Sequence, residues 1–470
     1  MQGALLIAGT TSDAGKSVVT TGLCRLLARR GVRVAPFKSQ NMSNNSMVVI
    51  DADTGQPGEI GRAQWIQAVA AQARPEVAMN PVLLKPGGDK VSHVVLNGQP
   101  FGLSDASEFA GARTVLAEAA YAAFESLRSR FDCIIAEGAG SPAEVNLREH
   151  DYINMGLARQ FNIPTIVVGD IDRGGVYAAL YGTLALLDAE DQALIKGWLI
   201  NKFRGDETLL APANEYLEAR TSRPVLGVLP WHPSVWLDSE DGMDVEGRRA
   251  YDGDPVRVAV VRLPRISNFT DVDALGLEPD VDVRFVSSPR ELSGADLVIL
   301  PGTRGTIADL EWLRSRGLDV AVAEHAARGG ALLGICGGAQ MLGRTIDDTA
   351  GIEGVGKCVD GLGIVDLTTV FTVDKNLTLH DPGYEIHHGR ISVGAGDPWP
   401  GGVQDGRVIA TMIHGSLEDD AVRAQVLEIA RPGRAPSSVR FAAARERRLD
   451  LLADLIEQHS DVERLLSLIG

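Results

Sequence analysis

Residues Ala4–Ser17 read ALLIAGTTSDAGKS, and this stretch decides the fold of the first half of the chain. The apolar run Ala4–Ala8 has the length of a buried strand, and the residues from Gly15 to Arg30 have the pattern of a helix. A glycine-rich turn joins the two. The order strand, glycine loop, helix predicts a phosphate-binding loop at the carboxyl end of a parallel strand.

The loop runs from Gly9 to Ser17 and has one residue more than the usual G-x4-GK[ST] pattern. Its turn exposes backbone N–H groups at a helix N-terminus, where negative charge is stabilised. Lys16 would reach the β- and γ-phosphates, and Ser17 would bind Mg²⁺. The residues predicted to bind ATP are Thr11, Gly15, Lys16 and Ser17.

Strand-length apolar runs recur along both halves of the chain. They are Arg33–Phe37, Asp132–Ala136, Thr165–Gly169 and Gly197–Ile200, then Arg257–Arg262, Asp296–Leu300 and Ala331–Ile335. Because these runs alternate with helical patterns, the sequence predicts an α/β protein of two tandem domains, each a mostly parallel sheet flanked by helices. We expect a first domain over 1–230, a linker over 231–255, a second domain over 256–430, and a helical segment over 431–470 that packs on the second domain.

Composition excludes several classes of protein. The 470 residues carry a formal net charge of −17, which argues against nucleic-acid binding. The four cysteines form no CxxC pair, which argues against a disulfide framework and favours a reducing, cytoplasmic location. No stretch reaches the roughly 18 apolar residues of a membrane span, and the short N-terminal apolar run lacks the basic region of a signal peptide.

The phosphate loop needs an acidic partner for a metal ion. Glu137 ends the apolar run that begins at Asp132, and the carboxyl ends of parallel strands are where α/β sheets bind ligands. Either Asp51 or Asp53, which lie downstream of the second strand, could complete the Mg²⁺ shell.

A second motif, ALLGICGGAQ, occupies Ala331–Gln340 and again gives strand, sharp turn and helix. Small residues on both sides of Cys336 are what a nucleophile elbow requires, because the strained turn leaves no room for side chains. The N–H of Gly337 is suited to one half of an oxyanion hole, and the strand-end loop containing Gly302 to the other half.

A thiolate nucleophile in acyl transfer needs a histidine base. His414 follows the apolar run 408–413 and is followed by glycine, so it would lie at a strand's carboxyl end beside the elbow. We expect His414 to be the base and His380, His387 and His388 to have structural or binding roles.

Long stretches outside the two motifs resemble the cobyric acid synthase family, and the resemblance covers nearly the whole chain. They are KSQNMSNNS at 38–46, EIGRAQ at 59–64, MNPVLLKP at 79–86, GDIDRGGV at 169–176, NKFRGD at 201–206 and GYEIH at 383–387. The first domain is similar to dethiobiotin synthetase, a P-loop NTPase-like fold whose loop has the same extra residue. The second resembles the flavodoxin-like class I glutamine amidotransferases.

The resemblance implies an ATP-dependent glutamine amidotransferase that amidates the b, d, e and g carboxylates of adenosylcobyrinic acid a,c-diamide. ATP, L-glutamine and the corrinoid would be substrates, Mg²⁺ the cofactor, and no redox cofactor, nucleic acid or membrane would take part. By the same resemblance, Cys336 is the nucleophile, His414 the base, and Ser17, Asp53 and Glu137 the metal ligands. The candidate substrate or phosphate contacts are Asn41, Asn44, Asn45, Asp172 and Arg173.

One position departs from the resemblance. Many class I amidotransferases have a glutamate two residues after the histidine, and here that position is Ser416. The chemistry would then use a dyad, with His414 oriented by a group that the sequence does not identify; Glu418 is near it in sequence only.

Two alternatives and the oligomeric state stay open. The nearest alternative is cobyrinic acid a,c-diamide synthase, which shares both domains. A more remote one is a P-loop switch ATPase fused to an inactive amidotransferase domain. Such switches carry a second lysine early in the loop, where this chain has Thr10, Thr11 and Ser12.

Overall fold

The computed structural model describes residues 3–88, 91–104, 106–232, 253–435 and 437–469. The chain divides into two compact units, each built from more than one stretch of sequence. The first comprises Met1–Ser43, Val49–Asp238 and Arg445–Gly470, and the second comprises Asn44–Val48 and Ser239–Ala444. Among the described residues, no helix is long and apolar enough to cross a membrane.

The first unit has a six-stranded parallel sheet in the order β12-β11-β10-β1-β9-β2. Its central strand β1 is buried from Leu5 to Gly9, because helices cover both faces of a parallel sheet. The strands from residue 3 to residue 230, in this sheet and in smaller ones, are β1 Gly3–Gly9, β2 Val34–Phe37, β3 Gln40–Met42, β4 Ser46–Ile50, β5 Pro57–Gly61, β6 Val82–Gly88, β7 Val91–Leu96, β8 Gln99–Ser104, β9 Cys133–Glu137, β10 Thr165–Asp170, β11 Ile195–Phe203 and β12 Val225–Pro230. The helices are α1 Lys16–Arg29, α2 Arg62–Ala70, α3 Ala106–Arg130, α4 Met155–Phe161, α5 Val176–Leu186, α6 Ala189–Leu194 and α7 Ala211–Thr221.

The second unit has a seven-stranded sheet in the order β14-β13-β15-β16-β23-β22-β21, of which the first five strands are parallel. The strands from residue 256 to residue 411, of which β17 to β20 form a separate sheet, are β13 Val256–Val261, β14 Val281–Val286, β15 Leu297–Leu300, β16 Ala331–Ile335, β17 Thr345–Asp347, β18 Cys358–Asp360, β19 Leu367–Leu379, β20 Tyr384–Val393, β21 Asp397–Trp399, β22 Gly402–Asp405 and β23 Val408–Thr411. Its helices are α8 Thr306–Ser315, α9 Leu318–Ala327, α10 Gly337–Leu342 and α11 Asp420–Ala430. The predicted fold class, two α/β domains with mostly parallel sheets, is confirmed.

The C-terminal helices α12 Phe441–His459 and α13 Val462–Ser467 correct one expectation. We expected this segment to pack on the second domain, and from Arg445 onward it belongs instead to the first unit. Leu452 and Ile456 share a core with α1, and a Cβ on Gly22 of α1 would come within 2.8 Å of Ile456. Arg25 of α1 forms ion pairs with α12, at 2.7 Å to Glu446 and 2.8 Å to Asp450.

Most of the expected linker 231–255 lies outside the described residues, which resume at 253. Residues Asn44–Val48 were expected in the first domain, and they belong to the second unit.

Candidate active site

Cys336 lies between β16 and α10 in a backbone conformation that few residues other than glycine adopt, with φ of 50°. The glycines around it explain how the turn forms. A Cβ on Gly338 would come within 1.9 Å of the Leu300 carbonyl oxygen, and one on Gly337 within 2.6 Å of Thr303. The chain therefore stores strain at the residue that carries the thiol, which is typical of a nucleophile elbow.

His414 lies beside this elbow because β16 and β23 are parallel neighbours in the sheet. The side chain is buried, and it lies close enough to Cys336 for that residue to raise the pKa of His414. The imidazole ring stacks on Tyr384 with centroids 5.4 Å apart. A Cβ on Gly302 would approach the imidazole Cε1 to 2.7 Å. The structure thus brings together the four residues predicted for glutamine hydrolysis: Cys336, His414, Gly302 and Gly337.

Asp271 is the residue that sequence reasoning missed. Its Oδ2 lies 2.7 Å from Nδ1 of His414, and its Oδ1 accepts a hydrogen bond of 2.8 Å from the N–H of Gly415. The carboxylate is buried and belongs to the 3₁₀ turn Phe269–Val272. Asp271 therefore lies beside the base, as the acid of a catalytic triad would, although the position two residues after His414 is a serine, Ser416.

The sequence contains only a weak signal for this role. Asp271 lies in the segment that leads out of the carboxyl end of β13, and α/β sheets place functional groups in such segments. It precedes His414 by 143 positions, and another buried acid, Asp273, lies two residues away. Proximity in sequence to His414 would have selected Glu418, which lies in the 3₁₀ turn Ser416–Glu418.

The charges around His414 strongly favour its protonated form. Burial lowers the pKa of His414, but the negative charges of Asp271 and Cys336 and their hydrogen bonds raise it more, to about 10. A buried histidine that holds its proton beside a cysteine and a carboxylate is suited to deliver that proton to a leaving amine.

The three histidines in and beside the β19–β20 hairpin have other partners. His380 and His387 each place Nε2 within 2.9 Å of Glu385, on opposite oxygens of that carboxylate. His388 Nδ1 lies 3.1 Å from the carbonyl oxygen of Thr372. These contacts are structural links within the β19–β20 hairpin.

The phosphate loop of the first unit lies between β1 and α1. Gly15 has φ of 101°, and a Cβ there would approach Asn201 Nδ2 to 1.9 Å, so only glycine fits. Nζ of Lys16 donates to the carbonyl oxygens of Thr11 at 2.8 Å and Ser12 at 3.0 Å. The lysine is thus held over the loop in which a nucleotide's phosphates would lie.

Glu137 and Ser17 lie next to each other, as the predicted metal site requires. The Ser17 hydroxyl donates to Glu137 Oε1 over 2.9 Å, and Lys38 forms a 2.9 Å ion pair with the same oxygen. Burial raises the pKa of Glu137, but the charges of Lys38 and Lys16 and hydrogen bonds from Lys38 and Gln67 lower it more, so it stays ionised. A hydroxyl and an ionised carboxylate are the oxygen donors that Mg²⁺ prefers.

Lys38 is a second group that the sequence did not single out. Its side chain is buried directly after the carboxyl end of β2, and β9 lies between β2 and β1 in the sheet. A buried ammonium group at this edge offers positive charge to an anionic substrate. Asp53, the third expected metal ligand, lies in an exposed turn, where its N–H donates to Asp51, and its role as a metal ligand stays a prediction.

The five expected substrate contacts divide into two groups. Arg173 pairs with Asp13 of the phosphate loop, and Asp172 accepts from Arg204 at 3.2 Å, both at exposed positions. Asn41 is buried and donates to Gln64 at 3.0 Å, whereas Asn44 and Asn45 belong to the second unit. Direct contact with a corrinoid stays a prediction for all five.

Two family models match the chain. Residues 5–245 match the CobQ/CobB/MinD/ParA nucleotide binding domain, and residues 257–422 match the CobB/CobQ-like glutamine amidotransferase domain. The cobyric acid synthase of Mycolicibacterium gilvum (strain PYR-GCK) is 61% identical over 473 residues, which cover 99% of this chain and 96% of the relative. That of Mycobacterium tuberculosis (strain ATCC 25618 / H37Rv) is 62% identical over 476 residues, with the same coverage.

The chain belongs to the cobyric acid synthase family. It is accordingly a glutamine amidotransferase with an ATP-using P-loop domain. Within the family's two-domain arrangement, the phosphate loop lies in the first unit, and Cys336, His414 and Asp271 lie in the second.

Proposed function

We propose that this chain amidates the b, d, e and g side-chain carboxylates of adenosylcobyrinic acid a,c-diamide, using ATP and glutamine. The observation that carries the proposal is the pairing of a complete cysteine glutaminase centre with a phosphate loop in a chain whose relatives share about 61% identity along almost their full length. Relatives that match this far are named cobyric acid synthase.

In the glutaminase centre, the Cys336 thiolate attacks the side-chain carbonyl carbon of glutamine. The N–H groups of Gly302 and Gly337 stabilise the oxyanion, and His414 gives its proton to the departing nitrogen as the C–N bond breaks. Water, deprotonated by His414, then cleaves the thioester and releases glutamate and the thiolate. Asp271 holds the imidazole in one orientation and stabilises its charged form.

In the synthetase centre, a carboxylate oxygen of the corrinoid attacks the γ-phosphorus of ATP, and ADP leaves. Ammonia attacks the resulting acyl phosphate at carbon, and inorganic phosphate leaves with the oxygen. Lys16 and Lys38 stabilise the charge on the phosphoryl group in transfer. Ser17 and Glu137 would hold Mg²⁺, which when bound neutralises phosphate charge, while Asp53, Asn41, Asp172 and Arg173 are candidates for the remaining contacts.

The test separates the two centres. Cys336→Ala is expected to abolish amidation with glutamine and to retain it with added ammonium, because only the ammonia source is lost. Loss of both activities in a folded variant would contradict the two-centre scheme. Mass spectrometry of the product counts the amides: four support the proposal, and two would indicate the a,c-diamide synthase reaction.

A further inference from the structure

Three residues from the first tenth of the sequence lie against the turn that carries Asp271. Asn44, Asn45 and Ser46 belong to the second unit, although Ser43 before them and Val49 after them belong to the first. The Ser46 N–H donates to Asn268 Oδ1 over 2.9 Å, and the Phe269 N–H donates to Asn45 Oδ1 over 3.0 Å. The Asn268 N–H points to the carbonyl oxygen of Asn44 at 3.4 Å.

These contacts form a reciprocal clamp that depends on asparagine chemistry at two positions. Each amide accepts from a backbone N–H of the other segment, and both side chains are buried, with 2% of Asn45 and 1% of Asn268 exposed. Asn268 also has φ of 49°, a conformation that asparagine adopts more readily than most residues. Loss of either amide would leave a buried N–H without its acceptor.

The clamp is directly connected to the catalytic base. Asn268 begins the 3₁₀ turn Phe269–Val272, and its carbonyl oxygen accepts a 3.0 Å hydrogen bond from the Asp271 N–H. Asp271 in turn contacts His414 at 2.7 Å. On the other side, the Ser267 N–H donates to the carbonyl oxygen of Gly302 over 2.9 Å. Residues 267–271 therefore connect the loop that contains Gly302, the clamp and the base His414.

We propose that Asn45 is a positioning residue of the glutaminase centre, which acts with Asn268 to fix the turn that places Asp271 against His414. Residues 44–46 are accordingly part of the glutamine-hydrolysing site, although in sequence they lie within the synthetase half. This role rests on the proposed glutaminase function of Cys336 and His414. It differs from the expectation that Asn45 contacts the corrinoid, and the two roles predict opposite results.

The experiment uses the full-length chain and compares two nitrogen sources. Asn45→Ala and Asn268→Gly each remove one acceptor, and glycine keeps the left-handed backbone of residue 268. Asn45→Asp keeps an acceptor oxygen and serves as the conservative variant. Asn162→Gly is the matched control, since Asn162 has φ of 52° in the first unit, away from the clamp. Circular dichroism establishes that each variant is folded.

The expected result is a roughly 3- to 10-fold fall in glutamine-dependent kcat for Asn45→Ala and Asn268→Gly, which corresponds to the loss of one hydrogen bond. The KM for the corrinoid and the ammonium-dependent rate should change little, and the alkaline limb of the glutaminase pH profile should move to lower pH. Asn45→Asp should restore most of the rate, and Asn162→Gly should match the wild type.

Two outcomes would overturn the proposal. One is an unchanged glutamine-dependent kcat and pH profile in both acceptor-deleting variants. The other is a raised corrinoid KM with both nitrogen sources, which would show that Asn45 contacts the substrate. Failure of the proposed glutaminase function itself is seen separately, as glutamine-dependent activity that survives in Cys336→Ala.

Discussion

Replacing Asp271 by asparagine tests the base's orientation with almost no change in volume. The pKa of His414 is raised from 6.5 to about 10, and at about 1.4 kcal/mol per pKa unit the buried site favours the imidazolium by roughly 5 kcal/mol. Asp271 is the largest of the causes that raise this pKa, and a hydrogen bond to a charged group contributes on the order of 2 kcal/mol, or about 30-fold. The amide can also select the wrong imidazole tautomer, so kcat for glutamine hydrolysis should fall between about 30-fold and about 10⁴-fold.

The assay measures glutamate release against pH in wild type and Asp271→Asn. Removal of the carboxylate lowers the pKa of His414, so the imidazolium loses its proton at lower pH. The alkaline limb of the profile should therefore shift to lower pH. Ammonium-dependent amidation should be retained, which shows that the fold is intact. Glu418→Gln is the matched control, and its kcat should stay within about twofold of wild type. An Asp271→Asn enzyme with near-normal kcat and an unshifted profile would refute the role of Asp271.

Three further predictions follow from the same contacts. The pKa of His414 is higher in the folded state than in the unfolded state. In urea titrations, the free energy of unfolding of wild type should therefore exceed that of Asp271→Asn by its full amount below about pH 6.5, and the difference should disappear as pH rises towards 10. A difference that stays constant with pH would contradict the ion pair between Asp271 and His414. Lys38→Met and Glu137→Gln should each lower ammonium-dependent amidation by about 10²-fold or more. The first removes positive charge at the phosphoryl group, and the second weakens the site that would hold Mg²⁺. An unchanged rate in either variant would exclude that residue from the centre. Ile456→Ala should lower the free energy of unfolding by about 2–5 kcal/mol in denaturant titrations, because it opens a cavity against α1; an unchanged value would contradict that packing.

Much of the fold and part of the site could be predicted from the sequence because their signals are contiguous. Lys16 and Ser17 follow a buried strand directly, and Cys336 stands among the glycines that its turn requires. His414 could be placed because an apolar run leads into it. In each case, a short stretch of chain contains both the functional residue and the geometry that presents it.

The remaining features depend on contacts between distant positions. Nothing near Asp271 in the sequence distinguishes it from Asp273, and only the contacts of the folded turn with His414 and Gly415 select it. The apolar pattern of α12 shows that one face is buried, but not which unit buries it. That choice is made by the close approach at Gly22 and by Arg25, whose acidic partners lie more than 400 positions away.

The interleaved chain has a consequence for how this protein is made. The first unit's core includes Leu452, Ile456 and Leu465, so its N-terminal strands and α1 wait until these residues have been translated before that core can close. At roughly 5–20 residues per second, a ribosome needs about 25–90 s to reach that point. The second unit receives Asn44–Val48 early and the rest of its residues only late. We therefore expect the two units to complete their folding at a similar late stage, rather than one after the other.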